Sequence, residues 1–313
     1  MNARTSMILA ILIIFVAQGV VLLADDSPQY SPWSVPTNLG PVINTPGNDS
    51  GPFISRDGLS LYFNSNALGG YGGLDIFVSH RASVHDPWGI PQNLGPNINS
   101  SSNDNAVALS NDGHQLYFQS NRPGGFGGTD LYVAGRHNKR DDFGWEPAQN
   151  LGSPVNTSAN ESAPVYFEDD ETGTITLYFV SDQPGGMGGT DIYASTLQRD
   201  ETWGTPLPVP ELNSSFNDAQ PAIRKDGLEM FVTSNRPGSF SSTADIWVST
   251  RARTFEPWST PVNLGPLINS PDPYYQGRPS ISFDGTTLYF YSFRPGGLGA
   301  QDLYLSTRTK LKH

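Results

Sequence analysis

The sequence contains no cysteine in 313 residues. No disulfide can hold this chain, so it must rely on a hydrophobic core, for which its length is ample. A lipoprotein anchor, which needs a cysteine, is excluded too. Positive charge is scarce: 18 Lys and Arg stand against 30 Asp and Glu, a formal charge of −12. An acidic surface repels phosphate backbones and anionic lipid heads, so nucleic acid is not an expected partner. Past residue 24 there is no long apolar run and no amphipathic helical period. The five histidines (His80, His85, His114, His137 and His313) lack metal-ligand spacing, and no Gly-x-Ser-x-Gly elbow occurs.

The first residues read as an export segment. Arg4 precedes an apolar stretch from Met7 to Ala24, followed by Asp25 and Asp26, the layout of a secretory signal. Residues 1–24 are assigned to it and residues 25–313 to one mature domain. The stretch is also just long enough to span a bilayer, so an uncleaved N-terminal anchor is the alternative and the only membrane contact expected. Export without disulfides points to a bacterial periplasm or exterior.

What the chain has in plenty is glycine, 33 residues, and much of it recurs in one phrase. "SNALGGYGGLD" ends at Asp75, "SNRPGGFGGTD" at Asp130, "SDQPGGMGGTD" at Asp191, "SNRPGSFSSTAD" at Asp245 and "SFRPGGLGAQD" at Asp302. A phosphate-cradling loop would open a helix. Here each phrase leads into a strand-like run such as "DIFVS" or "DLYVA", so the glycines serve tight strand connections. A second marker, Trp followed by "NLG" and "IN" in most copies, starts at Trp33, Trp88, Trp145, Trp203 and Trp258, at spacings of 55, 57, 58 and 55 residues. Asp-Gly pairs at Asp57, Asp112, Asp226 and Asp284 sit between strand-like runs, a hairpin signal.

Each unit therefore holds four strands, and five units repeated radially make a β-propeller. The expected fold is all-β: a single five-bladed propeller of four-stranded antiparallel blades. The mature chain starts on a fourth-strand segment (Trp33–Leu39) and its last strand is of the third type (Leu303–Thr307), so the N-terminal strand should close the ring.

The pattern S-x-D-G-x-x-L-Y-F-x-S-N-R-P-G-G resembles the WD40-like PD40 repeat of TolB-type periplasmic propellers. The resemblance implies a binding or scaffold module. The sequence departs from it at Ala67 and Leu68, at Gln183 and in "SFSST", and has no room for the additional N-terminal domain of TolB.

Residues present once per blade more often hold loops than perform chemistry. The Asp before each third strand can accept backbone N–H groups of its glycine turn, and the tryptophans are suited to packing between blades. One recurrence invites a functional reading. Asp49, Asp104, Glu161 and Asp218 each follow an asparagine and precede the "PFIS"-type first strand by three residues. They should ring one mouth of the channel, on the face of the glycine loops, with Arg122, Arg236 and Arg294 beside them. Local capping explains such a ring; so does convergence on sugar hydroxyls or on a hard cation such as calcium. No other cofactor is indicated. Blade five breaks the pattern with Tyr274, Tyr275 and Gln276, which reads as drift or as an aromatic platform facing the acids. The expectation is a monomeric, exported, non-enzymatic binding or scaffold propeller for a cell-envelope glycan or protein, binding at Asp49, Asp104, Glu161, Asp218, Tyr274, Tyr275 and Gln276. The alternative is a five-bladed glycoside hydrolase with Glu161 as acid and Asp49, Asp104 or Asp218 as base.

Overall fold

The computed structural model describes residues 29–311; residues 1–24, expected to direct export, lie outside the described residues. Twenty strands form five antiparallel sheets of four, and no helix occurs among the described residues. The inner strands are Asp49–Ile54, Asp104–Leu109, Glu161–Glu168, Asp218–Ile223 and Gln276–Ile281. Four turn through an Asp-Gly hairpin, and the third through the longer turn at Asp169–Gly173, into an aromatic second strand such as Ser60–Ser65. The glycine phrase then leads to a third strand such as Asp75–His80. Outer strands are only two residues long, Gln92–Asn93 in blade one. Prolines flank them in every copy, and proline cannot donate to a ladder.

Ring closure is as expected. Thr37–Asn38 pairs antiparallel with Asp302–Thr307 and supplies the outer strand of blade five. The strand is shorter than Trp33–Leu39, because Pro36 and Pro41 flank it. Isolated bonds extend the contact, from Ser34 N to Thr307 O (2.7 Å) and from Leu39 N to Leu303 O (3.0 Å).

The core is partitioned by blade. Five buried clusters each join the facing sheets of two neighbouring blades. One, between blades one and two, gathers Tyr62, Ile76, Leu116, Phe118 and Trp145; another closes blade five onto blade one through Ile43, Phe63, Tyr289 and Leu303. The tryptophans join these clusters at the rim, and four of them also lie under an arginine. Arg81, Arg136, Arg251 and Arg308 stack on Trp88, Trp145, Trp258 and Trp33 at 4.1–4.4 Å. Each donates its Nε to the carbonyl of its hairpin glycine. Hairpin, third strand and outer strand are thereby tied by one cation.

The inner strands depart from simple ladders in one repeated way. Two residues after the first, the chain turns to positive φ, at Gly51 (62°), Ala106 (70°), Ala163 (51°), Gln220 (51°) and Arg278 (52°). Register shifts there, as in a β-bulge. The residue after each bulge (Pro52, Val107, Pro164, Pro221 and Pro279) faces the propeller axis and lines a cavity there.

Candidate functional site

The acid ring exists, but its members do not face the channel. Asp49, Asp104, Glu161 and Asp218 open the inner strands rather than preceding them, and all four are fully buried. Each carboxylate folds back on its own loop. Asp104 accepts the N–H (2.5 Å) and hydroxyl (2.7 Å) of Ser100, and Asp49, Glu161 and Asp218 repeat this with Thr45, Thr157 and Ser214. Gln276 does the same work in blade five: its Oε1 accepts Ser270 N (2.8 Å) and its Nε2 donates to Tyr274 O (2.6 Å). The amide is thus an isostere of the acids, not part of an opposing platform.

The arginines follow the acids. Arg122 bonds Asp104 at 2.6 Å, and Arg236 bonds Asp218. Blade one has Ala67 where an arginine would stand, and there Asp49 Oδ1 is buried without a partner. Burial, opposed by bonds from Ser65 and Thr45, raises the Asp49 pKa above its ordinary value. Tyr275 is packed rather than presented. Its ring lies 5.4 Å from Tyr291 and 6.0 Å from Phe293, and its hydroxyl meets Gln220 Oε1 at 3.4 Å. Among the described residues no group of three or more His, Asp or Glu side chains is gathered to hold a metal ion.

The cavity lies on the propeller axis and opens toward the Asp-Gly hairpins, the face opposite the acid ring. Its volume is about 570 Å³. Phe53, Tyr166, Phe167, Phe283 and the post-bulge prolines supply apolar wall, and none of the seven sequence-selected residues lines it. At the acid-ring end Tyr275 packs against Tyr291 and Phe293.

The hairpin aspartates, read from the sequence only as turn residues, are not equivalent. Asp226 has both oxygens on Arg224 Nε, at 2.8 and 2.9 Å. Asp284 uses both on Ser282 and Thr286. Asp57 and Asp112 use only Oδ1, on Ser55 and Leu59 and on Ser110 and His114. Their Oδ2 atoms make no protein hydrogen bond, and these two, not Asp226 or Asp284, line the cavity. Burial alone would raise the Asp112 pKa, but the Ser110 hydroxyl and the His114 N–H outweigh it and hold the carboxyl below its usual range.

Sequence reading also missed a structural network. Asn44, Asn99, Asn156, Asn213 and Asn269 close each "IN"-type marker. Asn99 accepts Ile76 N at 2.8 Å and donates to Ile76 O at 2.9 Å, extending the short outer strand with a side-chain amide. The other four act alike on Leu303, Leu131, Ile192 and Ile246. The recurrent letter was the signal.

No sequence-family model and no curated relative matches the chain. Solved structures do match in fold. The α-L-arabinofuranosidase from Lactobacillus brevis superimposes with a TM-score of 0.57 at 17% identity, covering 87% of this chain and 93% of that one. The α-L-arabinofuranosidase from Podospora anserina, in complex with cellotriose, gives 0.56 at 11%, covering 89% and 97%. An endo-1,4-β-xylanase from Bacteroides thetaiotaomicron gives 0.52 at 16%, covering 86% and 96%. The five-bladed architecture is shared; at these identities the likeness is one of fold. These comparisons correct two expectations. The neighbours are glycoside hydrolase propellers, not TolB-type repeat proteins, so the PD40 resemblance does not hold. The reading as a non-enzymatic binding or scaffold module is not what these neighbours support, described as they are as arabinofuranosidases and a xylanase.

Proposed function

We propose that this protein hydrolyses glycosidic bonds, with the sugar seated in the axial cavity. The observation that carries the reading is the cavity itself: apolar and aromatic walls with two partly free carboxylates at its mouth, on a fold whose solved neighbours are described as arabinofuranosidases and a xylanase. Aromatic and proline surfaces suit the apolar faces of a pyranose or furanose ring. Glycoside cleavage needs two carboxyl groups, one to protonate the leaving oxygen and one to act as base or nucleophile. Asp112, held ionised, suits the second role, and Asp57 is the other carboxyl open to the cavity. The ring acids, Glu161 included, are occupied by their own loops.

Reducing-sugar release from arabinan, arabinoxylan and xylan oligosaccharides tests this. Wild type should release sugar, and Asp112→Asn should reduce the rate by about 10²-fold or more, the scale of an acid–base group. Loss through Glu161→Gln in a folded variant, with Asp112→Asn active, would return the chemistry to the acid ring. No release by wild type from any of these glycans would overturn the proposal.

A further inference from the structure

The cavity's charge runs against that of the molecule. In a chain of formal charge −12, its lining holds six basic side chains (Arg56, Arg136, Lys139, Arg140, Lys225 and Arg278) against two acidic ones, Asp57 and Asp112. Two of the bases are neutralised from outside the lining: Arg136 by Asp142 and Lys225 by Asp170. The lining remains net positive. Arg56 lies 4.4 Å over the Phe283 ring at the rim.

Arg278 is the unusual member. It occupies the bulge of the blade-five inner strand at φ 52°, where the other blades place Gly51, Ala106, Ala163 and Gln220. Its backbone N–H is satisfied by Gln220 Oε1 at 2.7 Å. The half-buried Arg278 has a guanidinium with no hydrogen bond, ion pair or ring stack to any described residue; Tyr275 and Tyr291 are its neighbours on the protein side, and it lines a wall of the cavity. The side chain lies across Gly51: a Cβ at that glycine would stand 3.4 Å from Arg278 Cδ and 2.1 Å from Asn64 Oδ1. Enclosure without a counter-charge pulls the guanidinium pKa down to about 10, which still leaves it a cation at neutral pH. A charge partly withdrawn from water gains from a partner, because the desolvation it has suffered is otherwise uncompensated. Among the described residues there is no such partner, and the space beside the charge is a ligand-sized cavity.

We infer that the axial cavity selects acidic saccharides, with a sugar carboxylate seated on Arg278 and the ring against the apolar wall. The inference rests on the glycan reading above and narrows its substrate class to uronate-bearing chains. A guanidinium pairs with a planar carboxylate through two parallel hydrogen bonds, which a neutral hydroxymethyl group cannot reproduce. The basic rim at Arg56, Lys139 and Arg140 would draw such a chain toward the mouth against the repulsion of the remaining surface.

The test is calorimetric titration of trigalacturonate and a glucuronate-substituted xylotriose, each beside its carboxyl-reduced counterpart. The members of each pair differ only at the charge. Wild type should bind at least one acidic member about tenfold or more tighter than its reduced partner, as for a charge-assisted hydrogen bond. Arg278→Gln should bring the pair to within about twofold, and Arg278→Lys should keep part of the preference. If the variants do not fold, the wild-type pairs decide alone. Equal binding within both pairs overturns the inference and leaves the glycan reading intact, since neutral arabinoxylan hydrolysis is scored separately. Citrate or sulfate competing as well as the uronides overturns the saccharide part and leaves only an anion site. Binding of no saccharide together with no hydrolysis brings down both.

Discussion

Replacing Asp142 with alanine should destabilise the whole propeller although the residue lies in a long loop. Asp142 reaches from the blade-two loop into blade one, where it accepts bonds from Tyr62 Oη, from Ser60 Oγ at 3.2 Å and from His80 Nε2 at 2.6 Å, while pairing with Arg136 of its own blade. It is 6% exposed and Tyr62 is fully buried. Alanine strands a buried guanidinium and a buried phenol together. Removing one partner of a buried pair costs about 3–5 kcal/mol. Arg136 keeps the carbonyl of Gly113 and the Trp145 ring, which argues for the lower end, about 3 kcal/mol. For a domain of this size that is a fall in Tm of about 6 °C, readable by scanning calorimetry. The pH dependence is a second check. Burial alone would raise the Asp142 pKa, but bonds from Tyr62, His80 and Arg136 outweigh it and depress the pKa in the folded state. A depressed carboxyl contributes fully above the unfolded value, about 3.9, and loses that contribution as pH falls through the folded one. The Tm gap between wild type and Asp142→Ala should therefore hold steady from pH 7 to pH 5 and shrink below pH 4. A gap under about 1 kcal/mol at pH 7, or one that stays constant into acid, would refute the reasoning.

Two further outcomes test the fold. Asn99→Ala should cost about 1–3 kcal/mol in denaturant unfolding, because the buried Ile76 N–H loses its partner while the Ile76 carbonyl keeps only Leu94 N; an unchanged midpoint would mean that water replaces the amide. Deleting the chain through Asn38 should lower stability globally and expose the third strand of blade five to pairing. Aggregation measured by light scattering should rise with it, whereas a monodisperse truncated protein with native Tm would show that closure is dispensable.

The propeller was legible because its evidence is redundant: five glycine phrases, five tryptophans and four Asp-Gly hairpins agree on one period. The site was not. Repetition correctly placed Asp49, Asp104, Glu161 and Asp218 in one ring, yet no local pattern says whether a carboxylate turns toward the axis or back onto its own loop. That depends on Thr45, Ser100, Thr157 and Ser214, four residues upstream of each, a spacing present in the sequence and unread. The Asp-Gly signal marked the hairpin aspartates only as turn residues, and only contacts separate Asp57 and Asp112 from Asp226 and Asp284. Arg278 had a weaker signal: a charged residue at the slot before the post-bulge Pro or Val, where the other blades carry Gly, Ala, Ala and Gln.

The pairing of Thr37–Asn38 with Asp302–Thr307 has a consequence for the order of assembly. The residues that complete blade five are made first, and their partner strand is made last. During synthesis four blades can form while the fifth waits for both of its ends. A loop of about 265 residues must close before the blade-five to blade-one cluster exists, so this contact belongs to the slowest class of folding events. Cutting the chain at the exposed Asp-Gly hairpin of a middle blade and joining residue 311 to residue 29, whose backbones already touch through the Leu311 N to Gln29 O bond of 2.8 Å, would turn that last, long-range event into a local one.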